Sequence, residues 1–261
     1  MSCLTSLPPE VLLQITHFLP IKSLLAFGLT SKRYHAIQQS SLTSLRLGVF
    51  HSRLGGMVNM LEATANNNPL HSVQLVLPRK GSKSKECITY IQNRRIQDVV
   101  EKYQHSLRDL EIAIWEIQEG TASLLASLSN LVHLSIRLDH PYTRHSSVKQ
   151  NYWQESPGST VWNLLAPRSG NSLALGRLRS LNLERVGVTD YQLRALLKSN
   201  PQITELRLRK CFNLTKDTFK YLAGSKVGRQ LEIFHFTMVN SGHIGEQVLE
   251  YIGKMSSLKV S

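Results

Sequence analysis

Arg207 and Arg209 are the side chains in this sequence best suited to grip a ligand. A guanidinium pairs bidentately with carboxylate or phosphate, and residues two apart on a strand share a face. Asp109 and Glu111 form the opposite kind of pair, and Arg46, His133, Arg137, Glu205 and His235 fall at equivalent positions of other segments. Together they describe a charged surface that could hold an acidic or phosphorylated protein segment. Taken singly, each is also what a solvated strand face carries. Catalytic chemistry has less to stand on: GxGxxG, P-loop, HExxH and GxSxG patterns are all missing. The 10 histidines are scattered, and His17, His35, His133 and His235 read as surface or core-edge residues. Glu10 follows two prolines, where the positive end of a helix dipole explains it better than general-acid work. Cys3, Cys87 and Cys211 lie far apart, which argues against a disulfide framework and a four-ligand zinc site. The expectation is a protein that is not an enzyme and needs neither metal nor cofactor.

The charged residues are placed by a repeat. The template Leu-x-x-Leu-x-Leu, with conservative swaps, starts at Leu42, Leu70, Leu107, Leu131, Leu178, Ile203 and Leu231. The spacings are 28, 37, 24, 47, 25 and 28 residues. In an extended segment the fourth and sixth positions point into a core while the third, fifth and seventh point away. Helical stretches lie between copies: Gln192–Lys198 carries Leu193, Leu196 and Leu197, Lys216–Leu222 carries Phe219 and Leu222, and Val161–Leu165 is a shorter candidate. Thr189 and Gln192 have the spacing of a capping box. Four of the six spacings fall in the roughly 20–29 residue range of leucine-rich repeats, which the chain therefore resembles. The segment Cys211-Phe212-Asn213-Leu214-Thr215 is similar to the cysteine-containing subtype. Phe50, Pro78, Trp115, Asp139, Val186 and Val239 stand at the other cysteine positions, so an irregular horseshoe of about seven repeats is expected. Two interruptions read as a helical insertion near 85–105, with apolar face Ile88, Ile91, Ile96, Val99, Val100 and Tyr103, and a disordered loop near 139–158, where Tyr152 and Trp153 are minor candidates for holding a partner. Around Leu258 another strand begins without room to finish, as a truncated chain or a short edge strand would.

Residues ahead of the repeats break this rhythm. Leu7-Pro8-Pro9-Glu10 opens an apolar helix through Val11, Leu12 and Ile15 that ends at Leu19-Pro20. A second short helix runs from Lys22 to Leu29 with Leu24-Leu25, and Ser31 caps a third through Ile37 that begins Lys32-Arg33-Tyr34. This ordered set resembles the F-box, with Tyr34 in place of the usual Trp and Thr30-Ser31 in place of Val-Cys. A plain helical cap for the first repeat is the simpler account, but it does not explain the order of these elements.

The resemblance implies an α/β protein with a three-helix F-box over residues 1–40 and a leucine-rich-repeat horseshoe over 41–261. It further implies a substrate-recognition subunit of a cullin ubiquitin ligase. Leu7, Pro8, Val11, Ile15, Leu19, Leu24, Leu25 and Tyr34 would then form the adaptor-facing and internal apolar set of a module docking on a Skp-type adaptor. The alternative is a basic scaffold binding nucleic acid or protein outside any ligase, suggested by a net charge of +13 from 31 Lys and Arg against 18 Asp and Glu. The densest basic run, Arg79–Lys85, reads as a solvated loop, and the expected strand face mixes both signs without aromatics other than histidine. No signal peptide or membrane-length apolar run is legible, so no membrane association and a cytoplasmic or nuclear site are expected.

Overall fold

A computed structural model describes residues 4–48, 83–138, 159–165, 175–237 and 246–259. A single turn of 3-10 helix, Leu4–Ser6, leads into three helices: α1 (Pro9–His17), α2 (Ile21–Gly28) and α3 (Lys32–Ser41). Proline starts the first two. Pro8 and Pro20 occupy the caps at φ −58° and −56°, where no helical N–H is needed. Ser31 caps α3 by accepting from the Tyr34 N–H at 3.2 Å, and α3 runs four residues past the expected Ile37.

Helices α1 and α2 both pack on α3. Leu12, Tyr34 and Ile37 form their small core, with the Phe27 ring stacked on Tyr34 at 4.4 Å. Gly28 permits the close approach of α2, because a Cβ there would stand 2.9 Å from Gln38 Cγ.

Beyond α3 the described residues form one parallel sheet of six strands in chain order: β1 (Ser44–Gly48), β2 (Asp109–Ile114), β3 (His133–Leu138), β4 (Ser180–Glu184), β5 (Glu205–Arg209) and β6 (Ile233–Thr237). Helices α4 (Lys83–Tyr103), α5 (Glu119–Ala126), α6 (Thr160–Leu164), α7 (Asp190–Ser199), α8 (Lys216–Gly224), α9 (Lys226–Gln230) and α10 (Glu246–Gly253) stand between or after the strands. The register stacks the template. Leu45, Leu110, Leu134, Leu181, Leu206 and Phe234 form one row, and Leu47, Ile112, Ile136, Leu183, Leu208 and Phe236 the next. The first template positions, Leu42, Leu107, Leu131, Leu178, Ile203 and Leu231, are all buried. No unit could cover these rows alone, and stacking buries them in one continuous core.

Some expectations need correction. Strand β1 is the direct neighbour of β2, so the sheet passes from the first template copy to the third. The second copy, Leu70 to Leu75, lies outside the described residues, as do the 139–158 segment and Tyr152 and Trp153. The described sheet thus has six strands where seven units were expected. The tail of the Arg79–Lys85 run, read as loop, belongs to helix: α4 starts at Lys83.

Helix α4 is more polar at its buried stripe than expected. Ile96, Val100 and Tyr103 are buried, but so are Thr89, Gln92 and Asn93 one to two turns earlier. Asn93, 0% exposed, donates to the Thr89 and Glu116 carbonyls at 2.8 and 2.9 Å. Its Oδ1 accepts from the Gln118 N–H at 2.9 Å and the Thr121 hydroxyl at 2.7 Å. One amide thereby ties α4 to the turn joining β2 and α5, whose backbone groups would otherwise be orphaned.

The three-helix unit is not loosely tethered. Leu24 and Leu42 belong to the main core, Leu19 packs against it, and Gln38 Nε2 donates to the Tyr103 hydroxyl at 3.0 Å. At the far edge the Lys259 N–H donates to the Glu232 carbonyl at 2.9 Å, repeating the bond by which Ile233 and Glu205 enter the sheet. Among the described residues no helix is long and apolar enough to cross a membrane.

Candidate functional site

Two surfaces stand out, one apolar and one charged. On α1 and its C-cap, Val11, Ile15 and Phe18 recur at intervals of four and three, one stripe of a helix. On α2 and its C-cap, Ile21, Leu25 and Leu29 recur at intervals of four. All six are exposed, Phe18 to 87% and Leu29 to 86%. Six large apolar side chains on two short adjacent helices exceed what scattered surface residues explain, and mark a contact surface.

The structure sorts the eight residues expected in this apolar set. Val11, Ile15 and Leu25 are exposed on the stripes. Pro8 is exposed at the α1 cap and Leu7 is half-buried against the small core. Leu24 and Tyr34 are internal, 5% and 8% exposed, and Leu19 is turned to the main core. Sequence reasoning missed Leu4, Phe18, Ile21 and Leu29, all exposed. The i, i+4 spacing from Ile21 to Leu29 was a signal, but only the position of α3 shows which stripe it leaves uncovered.

The second surface is the strand face opposite the helices. Its central row reads Arg46, Glu111, Ser135, Asn182, Arg207 and His235, flanked by a row from Ser44 to Ile233 and one from Gly48 to Thr237. A shallow basin over the first two rows is floored by Arg46, Glu111, Ser135, Asn182, Glu205 and Arg207, with His133 among its walls.

Its charges neutralise one another. Arg46 Nε lies 2.9 Å from Glu111 Oε2, His133 Nε2 lies 3.6 Å from Asp109 Oδ1, and Arg207 Nε lies 2.5 Å from Glu205 Oε1. Asn182 Nδ2 donates to Ser135 Oγ at 2.9 Å. Burial alone would raise the Glu205 carboxyl. Hydrogen bonds from Ser180 and Arg207, with the charges of Arg207 and His133, outweigh it and hold the group below the usual carboxylate range.

Of the two arginines singled out first, Arg207 is therefore engaged by Glu205. Arg209 stands in the third row, between Glu184 and Thr237, and its Nε has no hydrogen-bond partner. Arg137 lies in the same row and His235 in the second, so all eight expected strand-face residues share one side of the sheet. Ala113, a seventh template position, stands on this same side between Gly48 and Arg137, and is buried there.

Cys211 is structural. It is 5% exposed, and its Sγ–H lies 3.5 and 3.6 Å from the Leu183 and Arg209 carbonyls. Burial pushes the thiol up to about 12. Trp115 and Val186, at the matching positions of other units, are buried too. Among the described residues no group of His, Cys, Asp or Glu is placed to hold a metal ion.

The described residues thus combine a three-helix unit carrying exposed apolar side chains with a parallel sheet carrying a polar face. The comparison with known families names the first part: residues 4–43 match the F-box-like family, and the N-terminal unit is an F-box-like domain. That span covers all three helices through Thr43. No curated protein matches the chain. F-box domains generally bind Skp-type adaptors.

Proposed function

We propose that this chain is a non-catalytic substrate-recognition subunit of a cullin-based ubiquitin ligase. Its F-box-like domain docks on a Skp-type adaptor through the α1 and α2 stripes. The strand-and-helix units are leucine-rich repeats whose open strand face holds a protein substrate. The observation that carries this reading is the conjunction of six exposed apolar side chains on the F-box-like helices with a core shared between those helices and the sheet.

The mechanism is proximity. Adaptor and cullin bring a charged conjugating enzyme to one end while the strand face brings a substrate lysine to the other. Tethering replaces a dilute encounter with an effective concentration set by geometry. A rigid link serves this better than a flexible one, and the Gln38–Tyr103 bond with Leu19, Leu24 and Leu42 in the core supports such a link. The strand face suits a substrate of mixed charge, since its own cations and anions are interleaved and each internal pair can be exchanged for one across the interface. The work of such a subunit lies in the cytoplasm or nucleus.

Co-purification tests the reading. The full chain should recover a Skp-type adaptor and cullin, and a Val11→Ala/Ile15→Ala/Phe18→Ala variant should recover neither. Equal recovery by both chains, or by neither, would contradict it.

A further inference from the structure

Arg46, His133 and Arg207 on the strand face each meet a carboxylate, whereas the helices behind that face leave cations unmatched. Helix α7 packs on α8 and α8 on α9, and the three carry six Lys and Arg against two carboxylates. Helices α5, α6 and α10 carry three carboxylates and neither Lys nor Arg. Arg194 and Lys198 lie four apart on α7, Lys216 and Lys220 four apart on α8, and all are exposed. Among the described residues these four form no ion pair. Of the two carboxylates, Asp190 is taken up by the Thr215 N–H and by the hydroxyls of Thr215 and Thr218, which leaves Asp217.

A solvated basic surface is the competing account, and it covers Lys198, which sits in the last turn of α7 where a cation offsets the helix dipole. It does not cover the spacing. Elsewhere in the chain the i, i+4 interval carries opposite charges: Arg94 Nε lies 3.3 Å from Asp98 Oδ1, and Lys254 Nζ lies 2.7 Å from Glu250 Oε1. On α7 and α8 the same interval carries like charges, which destabilise a helix. Lys216 is also the first residue of α8, at the end where the dipole opposes a cation. Two adjacent helices thus hold cations where helix energetics disfavour them, and a polyanion relieves that repulsion.

The same surface carries aromatic rings. Tyr191 precedes Arg194 by three residues, on one stripe of α7, and is 78% exposed. Arg194 Cζ stands 5.1 Å from the centre of the half-buried Tyr221 ring, so the α7 stripe leans over α8 at the residue next to Lys220. We propose that the surface of α7 and α8 binds single-stranded nucleic acid, with Arg194, Lys198, Lys216 and Lys220 on its phosphates and a base stacked on Tyr191. A duplex is read by an element that enters a groove, and helices packed side by side leave neither free to enter one. A single strand bends to the surface and offers its base faces to an aromatic ring, while the cations track its backbone. An anionic membrane would want several apolar side chains among the cations, and Tyr191 is the one exposed large apolar residue that α7, α8 and α9 present. The surface is separate from the F-box-like domain and from the strand face, so it stands whether or not the chain serves a ubiquitin ligase.

Fluorescence anisotropy of the full chain with a labelled oligouridine of about 20 nucleotides tests the proposal. Four phosphate contacts at about 0.7 each give a slope of about −2.8 in log affinity against log salt, a loss of about fifty-fold from 50 to 200 mM. Arg194→Gln/Lys220→Gln should bind at least tenfold more weakly at 50 mM and cut the slope to about −1.4. Its melting temperature should be no lower than that of wild type, because both like-charge pairs are removed. Tyr191→Ala should weaken binding at an unchanged slope, and Tyr191→Phe should keep wild-type affinity. Lys22→Gln/Arg95→Gln, the same change in charge elsewhere, should bind as wild type does. An oligodeoxythymidine of the same length should bind as the RNA does, since neither the ring nor the cations read the 2′-hydroxyl. No salt-dependent binding by wild type, or undiminished binding by Arg194→Gln/Lys220→Gln, would overturn the proposal. So would a duplex that binds as tightly as the single strand, or phosphatidylserine vesicles that retain the chain while the oligonucleotides do not.

Discussion

Replacing Asn93 by alanine should be among the most damaging single changes outside the apolar core. The side chain makes four hydrogen bonds at full burial, two donated and two accepted. Deletion leaves the Gln118 N–H without that acceptor and removes one partner of the Thr121 hydroxyl, which keeps only its bond from Gln97 Nε2 at 3.1 Å. Each buried group left unsatisfied costs about 1–3 kcal/mol, so the total is about 4 kcal/mol. With a urea m-value of roughly 3 kcal/mol/M, the unfolding midpoint should fall by about 1.3 M. The control is Asn130→Ala, which removes one bond to the His105 carbonyl at an exposed position and should cost under about 1 kcal/mol. Asn93→Asp should not rescue, because it sets a carboxylate oxygen against the Thr89 and Glu116 carbonyls. Urea titrations of the four proteins, followed by circular dichroism, decide it. Equal midpoints for Asn93→Ala and Asn130→Ala would refute the claim that this amide organises the β2–α5 turn.

Two further outcomes follow from the shifted groups. Cys211, with its thiol up at about 12 and buried, should stay unmodified by iodoacetamide at pH 8 in the folded chain and react once urea is added; peptide mass spectrometry reads this site apart from the other cysteines. Prompt labelling in the native state would contradict the burial. Glu205 has a folded pKa below its unfolded one, so its charge stabilises the fold above about pH 4.3 and that contribution fades as pH falls through the folded value. Glu205→Gln should therefore be less stable than wild type at pH 5–6, with the gap closing on acidification below pH 4; a gap constant from pH 6 to 3 would show that Glu205 gains nothing from Ser180 and Arg207.

Much of the fold was legible because burial follows short periods. All six described strands lie at template positions, since Leu-x-x-Leu-x-Leu places a fixed pair of side chains on one face of an extended segment. The Thr189–Gln192 capping box and the Ser31 cap are present as read, because caps depend on neighbours in sequence. What failed depends on register. Arg46 meets Glu111 only because β1 lies beside β2, which no local pattern reveals. Glu205 and Arg207 share a strand face, so their pairing is within reach of the sequence, by the same alternation that marks Arg207 and Arg209 as a pair. Asn93 and Gln92 escaped for another reason: a search for apolar stripes passes over polar residues buried to hold a turn.

The central claim is that the exposed α1 stripe of the F-box-like domain is an adaptor-binding surface. Isothermal calorimetry of the full chain with a purified Skp-type adaptor tests it most directly. Wild type should bind. Val11→Glu/Ile15→Glu should bind at least 100-fold more weakly with an unchanged melting temperature, because charges would enter the apolar centre of the contact. Tyr191→Glu, which alters a still more exposed aromatic on α7, should bind as wild type does. Indistinguishable affinities for all three proteins, or no binding by wild type, would contradict the account.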